Sequence, residues 1–98
     1  MARRAAKTDA SQSEIVDALR EAGISVFVTP IGNSFPDLVC AYRGYCALVE
    51  CKTGTAKLTR GQEKFKREWQ GTVIVVRTAE EAVREFFKAW SMDRLGRV

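Results

Sequence analysis

The chain has 98 residues, 46% of them hydrophobic, with a formal net charge of +4 and no histidine. That length allows one domain with its own core and little more, and the hydrophobic share argues against disorder outside the ends. The missing histidine excludes the Ser-His, Cys-His and histidine-based ribonuclease types of general base, and no apolar run is long enough for a membrane span or a signal-peptide core.

Residues 1–10, with Arg3, Arg4 and Lys7, read as a flexible basic arm ahead of a single domain over residues 11–90. Ser11, Gln12, Ser13 and Glu14 have the form of a capping box. It opens a helix with Ile15, Val16, Leu19 and Ala22 on one apolar face and Gly23 at its end. Ile24 to Thr29 is a β-branched strand stopped by Pro30, and residues 31–35 form a loop. Pro36 to Lys52 reads as two short apolar strands joined by a tight turn at Arg43 and Gly44. A connection rich in small residues follows. Thr59 to Gln62 is a second capping box, opening a helix through about Trp69. Its Phe65 and Trp69, at i and i+4, are expected as core contacts, with DNA stacking by Trp69 as the alternative, while Lys64, Lys66 and Arg67 leave part of the helix as a basic face. Thr72 to Arg77 is a continuous Val/Ile strand, expected in the centre of the sheet and covered on both sides. Thr78 to Glu81 caps a last helix whose Val83, Phe86, Phe87 and Trp90 are core or a subunit contact, and residues 91–98 read as a tail. The order α-β-β-β-α-β-α describes an α/β fold with a mixed four-stranded sheet flanked by helices.

Cys40, Cys46 and Cys51 lie within the apolar strands, without C-x-x-C spacing. They read as buried reduced thiols in a cytoplasmic protein rather than as zinc ligands. The positive charge gathers at the N-terminus and again at Lys57, Arg60, Lys64, Lys66 and Arg67. Such a distribution fits a polyanionic partner.

Three charged residues stand where a buried hairpin should have none: Asp37 opens the first strand, and Glu50 and Lys52 close the second. Alternation puts Glu50 and Lys52 on one face and Val49 and Cys51 on the other. Two carboxylates converging from neighbouring strands make a hard oxygen site suited to Mg2+ or Mn2+. An ion there can polarise a phosphodiester and activate water, and a lysine one side-chain period on can reach the same phosphate.

Pro36-Asp37 followed by Glu50-Cys51-Lys52 resembles the PD-(D/E)xK nuclease superfamily. Lys52-Thr53-Gly54, Leu58 to Gln62, Val75 to Arg77 and Ala79 to Ala82 are similar to the virus-type replication-repair nuclease (VRR-NUC) domain, found alone in phages and bacteria and at the nuclease end of the Fanconi-associated nuclease. The resemblance covers roughly residues 12–87 and implies a restriction-endonuclease-like core. It implies metal held by Asp37, Glu50 and the main-chain carbonyl of Cys51, with Gln62 projecting into the site. Under it, Glu14 is a first-helix acid turned toward the metal, a second reading beside its capping role. Lys52 would orient or deprotonate the attacking water, or stabilise phosphorane charge. Arg3, Arg4, Lys57, Arg60, Lys64 and Arg67 would track DNA phosphates. Stand-alone members are expected to be homodimers that cut branched DNA such as four-way junctions; flap or exonuclease activity would use the same site. The alternatives are a non-catalytic DNA-binding module of a larger complex and a protein-interaction scaffold. One departure is visible: the family often has Gly two residues before the Pro, where this chain has Ser34.

Overall fold

The computed structural model describes residues 3–96, with side chains from residue 12 onward. The elements run α1 (Arg3–Glu21), β1 (Ser25–Val28), β2 (Leu38–Tyr42), β3 (Tyr45–Cys51), α2 (Arg60–Glu68), β4 (Val73–Val76) and α3 (Ala79–Gly96). This is the α/β order read from the sequence. The sheet order is β1-β2-β3-β4, antiparallel except for the parallel pair β3–β4. Arg43 (φ 49°) and Gly44 (φ 84°) are both left-handed in the β2–β3 turn. That backbone twists in the same sense as the strands it joins, and it fixes the pairing of Tyr42 with Tyr45.

Strand alternation divides the sheet into two unlike faces. Leu38, Cys40, Tyr45, Ala47, Val49 and Val76 are buried on the first, against Ile15, Val16 and Leu19 of α1 and Ala82 and Phe86 of α3. Tyr42 meets Phe87 and Trp90 edge-on, each with ring centroids 5.1 Å apart. Phe86, Phe87 and Trp90 are thereby used in this core. The second face carries Leu48, Glu50 and Lys52, and α2 stands over it.

Four expectations need correction. The helix does not start at Ser11: α1 already runs from Arg3, because residues 3–10 contain neither Gly nor Pro to break it. Ser11 to Glu14 is therefore helix interior and not a cap. α3 continues past Trp90 to Gly96, since no breaker interrupts residues 91–95. β4 is an edge strand; an unbroken apolar run reports covered faces, not a second neighbour, and only its Val76 is fully buried. Finally, α2 buries none of its residues, and Trp69 at its end is 45% exposed.

Candidate active site

The β2–β3 register pairs Leu38 with Val49, so one further step places Asp37 across from Glu50 on the face beneath α2. Cross-strand neighbours of this kind have Cβ atoms about 5 Å apart. β2 begins at Leu38, paired with Val49, so on that side of β3 the Cys51 amide lies beyond the last β2–β3 pair. Asp37 Oδ2 accepts that N–H at 2.9 Å. Thr29 clamps the other side of the turn into β2. Its amide donates to the Asp37 carbonyl at 2.9 Å, and its Oγ1 donates to the carbonyls of Pro36 (2.8 Å) and Asp37 (3.2 Å). The position of Asp37 is thus set by the chain on both sides.

Glu50 is 5% exposed. Burial pushes its carboxyl up to about 7, the Asp37 charge pushes the same way, and the Lys52 ammonium pulls it down. Lys52 is half-buried on the same face of β3. Gln62 Nε2 donates to Glu50 Oε2 at 2.8 Å. The same amide closes the capping box of α2, its Oε1 accepting from the Thr59 amide at 2.9 Å while Thr59 Oγ1 accepts from the Gln62 amide at 3.1 Å. The capping role and the site role read from the sequence therefore coexist in one side chain. Beside them lies a cavity of about 10 Å³ lined by Pro36, Glu50, Leu58, Gln62, Phe65 and Lys66, room for about one water.

The loop that brings Pro36 to this place is docked on α2. Phe35 meets Phe65 edge-on at 5.3 Å, and a Cβ added to Gly61 would collide with Ser34 Oγ. Ser34 has φ 74°, a left-handed backbone that glycine adopts without strain. The expected glycine at this position thus has a backbone reason, and Ser34 holds the same conformation at a cost of about 1 kcal/mol.

Asp37, Glu50, Lys52 and Gln62 are brought together, and the Cys51 amide joins them. Glu14 is exposed in the middle of α1 with no hydrogen bond to the acid pair. On a 3.6-residue turn, Arg60, Lys64 and Arg67 share one exposed stripe of α2, across the helix from Gln62. Lys57 is exposed in the preceding loop. The side chains of Arg3 and Arg4 lie outside the described residues.

Three residues outside the expected site also shape it. Lys66 follows Gln62 by four residues and lines the cavity; that i, i+4 spacing was the available signal. Arg77 Nη1 donates to the carbonyls of Gly54 (2.9 Å) and Ala56 (2.6 Å), tying down the loop that leaves Lys52. Thr29 is the third. Neither Thr29 nor Arg77 carries a local sequence signal, because each acts on main-chain atoms many residues away.

Burial raises the Cys40 and Cys51 thiols to about 12; Cys46 adds to the first, and Asp37 and Glu50 add to the second. Cys46, expected buried, is exposed. It occupies the α2-side face beyond the end that α2 covers. Among the described residues no group of three or more His, Cys, Asp and Glu side chains converges on a metal position. The protein's side-chain donors here are two carboxylates, a hard-oxygen pair of the kind Mg2+ shares with phosphate and water. Among the described residues no helix is long and apolar enough to cross a membrane. Compared with protein-family models, curated proteins and solved structures, the chain matches none of them.

Proposed function

We propose that this chain is a cytoplasmic, Mg2+- or Mn2+-dependent DNA endonuclease with a restriction-endonuclease-like core, akin to a stand-alone VRR-NUC domain. The observation that carries the reading is the acid pair: Asp37 across from Glu50, with Glu50 buried and Lys52 on its face in a chain of net positive charge. Two facing acids destabilise a fold, and a module that only bound DNA would gain nothing by aiming them at phosphate.

Asp37 and Glu50 would hold the ion, with the Cys51 carbonyl as the main-chain donor that the resemblance implies. When bound, a divalent ion polarises the phosphodiester, favours hydroxide and offsets negative charge at the transition state. Gln62 keeps the Glu50 carboxylate oriented through its Oε2. Lys52 would orient or deprotonate the attacking water, or stabilise the phosphorane, as that water displaces the leaving oxygen at phosphorus. Arg60, Lys64 and Arg67, with Lys57 and the N-terminal arginines, would follow the DNA backbone.

Incubation with four-way, flapped and linear DNAs in Mg2+, Mn2+ or EDTA tests this directly. Cleavage should require the metal. Asp37→Asn, Glu50→Gln and Lys52→Ala should each slow it on the order of a hundredfold while DNA binding survives. Cleavage undiminished in EDTA, or a wild-type rate in either acid variant, would overturn the assignment.

One site cuts one strand per visit, so symmetric cutting of a junction needs a two-fold dimer. The edge strand β1 offers the apolar material for it, since Phe27 is 62% exposed and Val28 and Ile31 are also open. Sedimentation at micromolar concentration should give twice 10.9 kDa. A monomer that only nicks would replace junction cutting by flap or nicking activity.

A further inference from the structure

Gln62, Phe65, Lys66 and Trp69 stand at i, i+3, i+4 and i+7 and so share one stripe of α2. That stripe faces the acid pair, as the Gln62–Glu50 bond shows. Yet Trp69 is 45% exposed. Its indole lies flat on Phe65, with centroids 5.3 Å apart and planes 17° from parallel. Phe65 is in turn braced edge-on by Phe35. The indole edge also abuts Gly71, where an added Cβ would come within 2.7 Å of Trp69 Nε1. Trp69 is therefore mounted rigidly, with much of its surface open, on the same stripe as the exposed cation Lys66. An aromatic packed only to cover the core would not be held in place and left open in this way.

We propose that Trp69 is a stacking platform for one unpaired nucleobase of the DNA substrate, so that the chain selects branched or flapped DNA through a base outside the duplex stack. The proposal rests on the nuclease reading for the identity of the substrate. Every base offers a π-face to an indole, whereas a paired base in a duplex keeps both its faces occupied by its neighbours. Lys66 supplies phosphate-attracting charge beside such a platform. Seven residues of helix separate Trp69 from Gln62, about 10 Å. At roughly 3.4 Å per stacked nucleotide, the platform holds a base about three nucleotides from the phosphate at the acids.

Trp90→Phe leaves Trp69 as the single indole of the chain, and EDTA prevents turnover. In that variant, dT12 and a flapped duplex should quench Trp69 emission, and a blunt duplex should not. Trp69→Ala should weaken binding of dT12 and of the flap roughly 5- to 150-fold, leave blunt-duplex affinity within about twofold, and leave the chain folded at the temperature of the assay. Trp69→Phe should recover part of the loss, which a purely structural role would not predict. Equal quenching by blunt duplex, or equal affinity losses on all three DNAs, overturns the platform, as does no loss on any. These are binding measurements, so selective quenching without metal-dependent cleavage would sink the nuclease reading alone. Metal-dependent cleavage with structure preference intact in Trp69→Ala would sink the platform alone.

Discussion

Glu50→Gln separates what the acid does to the fold from what it does for the site. The Glu50 carboxyl ionises at about 7 in the folded chain against 4.5 for a solvated glutamate. At about 1.4 kcal/mol per unit, its ionised form destabilises the fold by about 3 kcal/mol. The sign follows from proton counting. Between pH 4.5 and 7 the folded chain holds the Glu50 proton more tightly than the unfolded chain does. Stability from this group is therefore complete below pH 4.5 and is lost as pH rises through 7. The amide of the Glu50→Gln variant has no proton to lose and keeps an acceptor for Gln62 Nε2. In EDTA the variant should match wild type near pH 4.5 and gain on it as pH rises. Above pH 7 it should melt on the order of 10–20 °C higher, at about 4–8 °C per kcal/mol for a domain of this size.

Divalent metal should close most of that gap. An ion held at Asp37 and Glu50 adds about 2.7 kcal/mol at a hundred times its dissociation constant, and the gain needs the Glu50 charge. Thermal melts of both proteins from pH 5 to 8, with EDTA or Mg2+, check both halves. Parallel pH curves in EDTA would refute the buried-charge argument, and an equal Mg2+ gain in Glu50→Gln would remove Glu50 from the ion.

Gly61→Ala should destabilise the chain by about 1–3 kcal/mol, because the new methyl meets Ser34 Oγ. Ser34→Gly should stabilise it by about 1 kcal/mol by relieving a left-handed serine and should absorb most of the Gly61→Ala loss in the double variant. Additive effects in denaturant melts would mean the two residues do not touch. Of the three thiols, Cys46 alone should react quickly with Ellman's reagent in the native protein, with Cys40 and Cys51 following only on unfolding. A fast stoichiometry of two or more would contradict the burial of Cys40 or the raised thiol of the half-buried Cys51.

What was legible in the sequence was whatever is local. The Arg43-Gly44 turn fixes the β2–β3 register, and that register faces Asp37 with Glu50. Thr59 to Gln62 spelled out a capping box, and the box formed. The misreadings share one cause, the neighbour that a linear pattern does not name. Ser11 to Glu14 has the letters of a cap but sits inside a helix, because nothing ahead of it interrupts the run. The valines of β4 report apolar cover and not a second strand. The i, i+4 spacing of Phe65 and Trp69 predicts their contact, which forms, but not how far that contact is buried. The main core is on the other face of the sheet, against α1 and α3. Arg77 was unreadable as a loop clamp because its acceptors, the carbonyls of Gly54 and Ala56, have no side-chain identity.

The placement of α2 joins the fold to the site. This helix buries none of its residues fully, so hydrophobic burial holds it less firmly than it holds α1 and α3. Its attachments are the Phe35–Phe65 contact, the close approach of Gly61 to Ser34, and Gln62. The Gln62 amide is divided between them, with Oε1 on the Thr59 cap and Nε2 on Glu50. Whatever changes the charge of Glu50 acts at once on the first turn of α2, where a cap contributes about 1 kcal/mol. An element held by so few contacts belongs to the low-stability end of a fold. The cavity behind Gln62 has room for a water and not for a phosphate, so Glu50 is open to a small ion before it is open to DNA. Asp37 and Lys52, only half-buried, present the side from which a phosphate can approach. The sheet therefore fixes the acids, while α2 sets how far Glu50 is covered.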